Sequence, residues 1–152
     1  MSYVSTAPTG DLGCIFCNAL SRGDDRGALI LRRRGPAFLI LNAFPYASGH
    51  LMAATARHGG GLPEATAAEL AEVMALVQVG MRTLRTVYRP DGFNVGVNEG
   101  RVAGAGVLDH LHVHVVPRWN GDTNFMPVLG GVRVLPEALD ATYDRLSAAL
   151  DS

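Results

Sequence analysis

The chain contains no lysine: all thirteen basic residues are arginine, set against fourteen acidic residues for a net charge of −1. A chain so close to neutral has no electrostatic grip on a phosphate backbone, which argues against nucleic acid as its partner. Charged residues are only 18% of the sequence and hydrophobic ones 48%, which argues against disorder. No apolar run approaches the ~18 residues that a membrane span needs, so no membrane partner is expected. The start, MSYVSTAPTG, lacks the basic and apolar regions of a secretory leader. The expectation is a cytoplasmic protein. Its 152 residues suit one domain, large enough to bury roughly 70% of the unfolded surface.

What the chain does have is punctuation. Residues 1–13 are small and polar and read as a loose arm, with a single domain over 14–152. Ala28–Arg32 and Ala37–Leu41 read as a hairpin around Arg33-Arg34-Gly35-Pro36. A loop over Asn42–Gly49 precedes a short third strand, His50–Ala54. From Pro63 to Tyr88 the residues Leu70, Val73, Met74, Val77, Met81, Leu84 and Tyr88 recur at three and four, which predicts one long helix with an apolar face. Phe93, Val95 and Val97 alternate with polar or glycine positions, as in a half-buried strand. Leu139, Tyr143, Leu146 and Leu150 mark a closing helix over Pro136–Leu150.

The chemistry-bearing residues are few: two cysteines, Cys14 and Cys17, in one C-x-x-C, and five histidines. Asp109-His110-Leu111-His112-Val113-His114-Val115 alternates strictly. As a strand it places His110, His112 and His114 on one face, roughly 6–7 Å apart. Three imidazoles buried without partners would be a costly way to build a core, so the stripe points to metal binding, proton transfer or attack on phosphorus. The C-x-x-C supplies half of a tetrahedral zinc site, which His58 and one of the three histidines would complete. A redox pair is the rival reading, although no strand is predicted before it.

His110-Leu111-His112-Val113-His114-Val115-Val116 resembles the H-φ-H-φ-H-φ-φ signature of the histidine triad (HIT) superfamily of nucleotide hydrolases and transferases. Cys14-Ile15-Phe16-Cys17 resembles that family's C-x-F-C. Leu41-Asn42-Ala43-Phe44-Pro45 through Gly49-His50 is similar to its N-x-x-P…G-H segment, and Asn94-Val95-Gly96-Val97-Asn98 to the strand before the triad. The resemblance implies an α+β fold: an antiparallel sheet of about five strands, the long helix and a C-terminal helix, in a homodimer. It implies structural zinc on Cys14, Cys17, His58 and His110, with His112 as nucleophile supported by His114 and His50. All five histidines and both cysteines are then used.

By the same resemblance Asn42 meets the ribose and Asn98 lies near the phosphates, while Gly104 and Gly106 can offer backbone N–H groups to phosphate. Trp119 suits stacking on a second nucleobase or packing in a dimer, with Phe125 weighed beside it. Arg101 and Arg118 suit polyphosphate or plain solvent exposure.

Two positions depart from the family pattern. Gly106 and Val107 stand where many members have Gln-Ser or Gln-Thr, and Thr55 stands where proline usually precedes the metal histidine by three. Ala105–His110 followed by Pro117–Met126 resembles the bacterial diadenosine polyphosphate phosphorylase or hydrolase branch. The expected reaction is cleavage of a dinucleoside polyphosphate through a nucleotidyl-histidine, with phosphate or water as acceptor. The alternatives are a HIT enzyme recruited to another nucleotidyl or phosphorylated substrate, and a zinc-containing nucleotide-binding module without turnover.

Overall fold

A computed structural model describes residues 13–123 and 137–152. The predicted arm, apart from Gly13, Phe125 and the start of the predicted closing helix at Pro136 lie outside the described residues. Five strands, β1 (Ile30–Arg34), β2 (Ala37–Leu41), β3 (Leu51–Thr55), β4 (Gly92–Gly96) and β5 (His112–Arg118), form one antiparallel sheet in the order β1-β2-β3-β5-β4. Three helices accompany it: α1 (Ile15–Ser21), α2 (Ala67–Tyr88) and α3 (Leu139–Leu150). This is the α+β architecture expected from the sequence.

The hairpin turn is tighter than the sequence reading placed it. Arg33 and Arg34 pair with Phe38 and Ala37, which leaves only Gly35-Pro36 to reverse the chain. Gly35 takes φ +52, the conformation a two-residue hairpin turn demands at its first position.

Both faces of the sheet are covered, so β2 and β3 are buried at all five positions rather than alternating. On one face Leu39, Leu41, Leu51, Ala53, Val113 and Val115 pack beneath α2 and α3, where Val73, Leu76, Val77, Leu84 and Leu146 meet them. The helix begins later than Pro63, which sits in a 3-10 turn at Leu62–Glu64. Thr66 caps α2, accepting from the Glu69 backbone N–H at 3.1 Å, while the Glu69 carboxylate accepts from the Thr66 N–H at 2.9 Å. This reciprocal box decides the helix start. The buried stripe runs through Leu76 rather than Met74, which is 48% exposed, because the face that meets the sheet is centred between Val73 and Val77.

On the opposite face Ile30, Phe38, Ile40, Met52 and Ala54 carry Cys14, Phe16 and Cys17. Helix α1 has no counterpart in the sequence reading. At seven residues it is too short to hold itself, and it depends on the Phe16 ring lodged against Phe38 at 6.1 Å. Strand β4 is an edge: Asn94, Val95 and Gly96 are exposed, with only Phe93 turned toward the core. Among the described residues no helix is long and apolar enough to cross a membrane.

Candidate active site and metal centre

The sheet register builds the site. Met52 pairs with His114 and Ala54 with His112, so both rings leave β5 on the face that carries α1. His110 lies two residues before the strand, after Asp109, whose φ of +58 turns the chain into it. The Phe16 ring sits 5.0 Å from the His110 ring and 4.9 Å from that of His112, closing this face from water. His50 arrives from the loop before β3. Gly49 ahead of it has φ +86, and a Cβ there would stand 2.6 Å from Leu84, so the G-H pair of the sequence is a packing requirement.

Hydrogen bonds assign the protons. His112 Nδ1 lies 2.8 Å from the His110 carbonyl, which can only accept. Nδ1 of His112 therefore carries the hydrogen, and Nε2 keeps a lone pair. The Tyr46 backbone N–H donates to His50 Nδ1 at 3.1 Å, so the neutral His50 ring carries its hydrogen on Nε2. That atom is 2.9 Å from His114 Nδ1, to which it donates, and the His114 hydrogen is thereby placed on Nε2. A backbone amide thus sets two tautomers in series. The Tyr46 ring lies 4.7 Å from that of His50, covering the relay.

Burial holds these rings neutral. It pushes His112 and His114 below the ordinary imidazole value and His50 from 6.5 to about 4, with the neighbouring His114 adding to the last shift. Protonating His50 at Nδ1 would also set a cation's N–H against the Tyr46 donor. Below the ordinary value the unfolded chain takes up a proton that the folded ring refuses, so this group weakens folding as pH falls from 6.5 toward about 4. NMR titration is expected to show the His50 ring neutral at pH 6, with a midpoint well below 6.5. A midpoint at or above that value contradicts the relay.

Beside the triad, Cys14, Cys17, His58 and His110 bring their donor atoms within 4.8 Å of one another. His110 Nδ1 is 3.3 Å from Cys14 Sγ and 3.7 Å from Cys17 Sγ, and His58 Nδ1 is 3.4 Å from Cys17 Sγ. Tetrahedral zinc with Zn–S of about 2.3 Å and Zn–N of about 2.0–2.1 Å separates its sulfur and nitrogen ligands by about 3.6 Å, so the cluster has the right span. His110 Nε2 donates to the Thr55 carbonyl at 2.6 Å, which leaves Nδ1 unprotonated and facing the sulfurs, the outer support a metal-bound imidazole requires. Thr55, standing in the place of the family's proline, also bonds the Arg57 carbonyl through Oγ1 at 3.1 Å. Gly59 N–H donates to the Asp109 carbonyl at 2.6 Å, tying the loop of His58 to that of His110. The C-x-x-C does open a helix, the habit of a redox pair, but two imidazole nitrogens converge on its sulfurs and favour the metal.

Three cavities border this face. One of about 360 Å³ is walled by His110, His112, Asn98, Gly100 and Arg101. Another, of about 240 Å³, has apolar walls from Ile15, Leu29, Ile40, Phe44 and Met52, with Asn42 at its edge. Ile40, Met52 and His114 are consecutive cross-strand partners, so the floor of this apolar cavity runs directly to the face that carries the histidines. The third, about 920 Å³, holds Trp119, Tyr46 and Arg118.

The remaining sequence candidates separate. Asn42 Oδ1 accepts from the Phe44 N–H at 2.8 Å and its Nδ2 lies 3.4 Å from His50 Nε2. Gly104 N–H is engaged with the Arg101 carbonyl at 3.1 Å, whereas that of Gly106 has no hydrogen bond among the described residues. Trp119 Nε1 donates to the Tyr88 carbonyl at 3.4 Å. Arg118 is neutralised by two bonds to Asp122, at 2.6 and 2.8 Å. Arg101 carries no such ion pair among the described residues and lines the cavity of His112. Sequence reasoning missed Phe16, Tyr46 and the Thr55 carbonyl as parts of the site. Phe16 sat visibly inside C-x-F-C, but backbone groups leave no mark on a residue pattern.

A family model described as the HIT domain matches residues 28–121. The chain belongs to the HIT family. This HIT protein is 45% identical over 118 residues to AP-4-A phosphorylase of Mycobacterium tuberculosis, an alignment covering 78% of the chain and 60% of the relative. It therefore spans about three fifths of that relative's length. A Zn-bound histidine triad family protein from Mycobacterium smegmatis superposes with a TM-score of 0.73 at 26% identity, covering 91% of this chain and 93% of the other. A histidine triad nucleotide-binding protein from Sulfolobus tokodaii gives a TM-score of 0.72 at 24% identity over 91% and 92%, a likeness of fold.

Proposed function

We propose that this chain cleaves a dinucleoside polyphosphate of the diadenosine tetraphosphate type through a nucleotidyl intermediate on His112. The observation that carries this reading is the 2.8 Å bond from His112 Nδ1 to the His110 carbonyl. It leaves Nε2 unprotonated on a neutral imidazole whose residue walls a cavity together with Asn98 and Arg101. The likeness to AP-4-A phosphorylase supports the choice of substrate.

Nε2 of His112 forms a bond to the α-phosphorus as the bond from that phosphorus to the bridging oxygen breaks, and the departing nucleoside triphosphate carries the electron pair away. His114 Nε2–H donates to the phosphate oxygens or to that leaving oxygen, in the tautomer that His50 imposes. Phosphate or water then attacks the same phosphorus and frees His112, so that one hard displacement becomes two easier ones. Asn42 holds the ribose, and Asn98, Arg101 and the Gly106 N–H meet the polyphosphate. Gly104, whose N–H is already engaged, shapes that turn, and Trp119 stacks on the second base in the large cavity. Zinc on Cys14, Cys17, His58 and His110 supplies a cross-link between α1, the loop after β3 and the start of the triad, and the Zn-bound relative supports that identity. The open edge of β4 supports a homodimer that joins two sheets. Thiolate ligands suit the reducing cytoplasm.

The test is chromatography of the products from diadenosine tetraphosphate. ADP plus ATP, formed only with inorganic phosphate, is the expected result for a phosphorylase; AMP plus ATP without phosphate identifies a hydrolase. Intact substrate in both conditions sinks the proposal.

A further inference from the structure

We propose that Asn18 reads the edge of the nucleobase and selects adenine over guanine. The inference rests on the nucleotidyl reading above, in which Asn42 holds the ribose, and it places the base of that nucleoside in the 240 Å³ cavity that Asn42 borders. Asn18 follows Cys17 in α1 and lines that cavity. Its backbone is engaged: the N–H donates to the Cys14 carbonyl at 3.0 Å, and the carbonyl accepts from the Ser21 hydroxyl at 3.1 Å. Its side-chain amide nitrogen is closed off from solvent and has no hydrogen-bond partner among the described residues. Among the described residues no other buried side-chain nitrogen or oxygen is left so.

A buried amide without a partner weakens a fold in a way that an apolar side chain of similar size would not. Such a group is retained where a ligand completes it. The other two polar side chains around the cavity, Asn42 and Arg22, each already make a hydrogen bond within the protein. Asn42 Oδ1 accepts from the Phe44 N–H at 2.8 Å, and Arg22 donates to the Gly27 carbonyl at 2.9 Å. The rest of the wall is aliphatic or aromatic and gives a flat base its stacking surface without distinguishing one base from another. Of the three, Asn18 is the one whose buried amide nitrogen lacks a partner among the described residues, and that singles it out for the distinction.

A turn about its side-chain bonds brings the carboxamide onto a base, with an N–H₂ donor beside a C=O acceptor. The N6/N7 edge of adenine offers the complementary pair, a donor beside an acceptor, and takes two hydrogen bonds. The same edge of guanine offers O6 and N7, both acceptors, so one bond forms and two acceptors face each other. The unpaired amide of the free protein thus becomes a specificity determinant when a base arrives.

The experiment is calorimetric titration of the full chain and of Asn18→Ala and Asn18→Leu with AMP and with GMP. The wild type is expected to bind AMP about tenfold more tightly than GMP, and both variants to lose about tenfold in AMP affinity while GMP changes less than about twofold. The melting temperature of Asn18→Leu is expected to equal or exceed that of the wild type, because the unpaired amide is gone. An unchanged AMP-to-GMP ratio in both variants overturns the proposal, as does equal weakening of both nucleotides or a wild type that binds neither. Binding is read without turnover. Failure to cleave diadenosine tetraphosphate, with the AMP and GMP pattern intact, therefore sinks the cleavage reading alone.

Discussion

Replacing His112 with Asn is expected to lower kcat for dinucleoside polyphosphate cleavage by at least ~10⁴-fold, the scale at which removal of a nucleophile is felt in enzymes that form a covalent intermediate. The substitution is chosen for what it keeps. An Asn amide N–H₂ can donate to the His110 carbonyl as the imidazole Nδ1–H does at 2.8 Å, and it is small enough for the space beside Phe16. What it loses is the lone pair of Nε2, since an amide nitrogen does not attack phosphorus. Cys14, Cys17, His58 and His110 are untouched, so zinc content and melting temperature should stay near those of the wild type. The comparison separates chemistry from folding. Activity within tenfold of the wild type, in a variant with unchanged metal, would mean that no covalent bond to His112 lies on the path.

The parts of this site that were legible in the sequence are those that side-chain type and spacing encode. Alternation in the triad strand placed His112 and His114 on one face, and the three-and-four recurrence from Leu70 to Tyr88 marked α2. Boundaries fared less well where the deciding group was a backbone atom or a capping side chain. The start of α2 belongs to the Thr66 and Glu69 pair, a T-x-x-E three residues after the Pro63 from which the sequence reading began the helix. Helix α1 was invisible because seven residues make just under two turns, too few for an apolar recurrence to stand out, and Phe16 packed on Phe38 helps to hold it on the sheet. The tautomers were beyond reach for the same reason, since they depend on the Tyr46 N–H and the His110 carbonyl, groups every residue possesses. Arg101 and Arg118 look alike in the sequence, but Asp122 clasps Arg118, whereas no carboxylate among the described residues pairs with Arg101.

Cys17→Ser is expected to lower the melting temperature by roughly 10 °C and to abolish stoichiometric zinc. A structural zinc contributes several kcal/mol to folding, and about 1 kcal/mol corresponds to ~2–4 °C in a chain of this size. Cys17 Sγ stands 3.4 Å from His58 Nδ1 and 3.7 Å from His110 Nδ1, so its loss uncouples all three segments that the cluster joins. Helix α1 suffers most, since apart from the cluster only Phe16 and the partly buried Ile15, Ala19 and Leu20 pack it against the sheet. The damage is expected to reach the chemistry too, because the His110 backbone carbonyl bonded to His112 Nδ1 belongs to the residue whose ring completes the cluster. A further loss of about 10–100-fold in activity, the usual consequence of loosening a metal's surroundings, is expected in the fraction that remains folded. Elemental analysis of the gently purified wild type should find close to one zinc per chain, and a chelator should reproduce the melting shift of the variant. Less than about half a zinc per chain, together with a reversible Cys14–Cys17 disulfide and a melting temperature indifferent to chelator, would overturn the metal assignment and return the C-x-x-C to the redox reading.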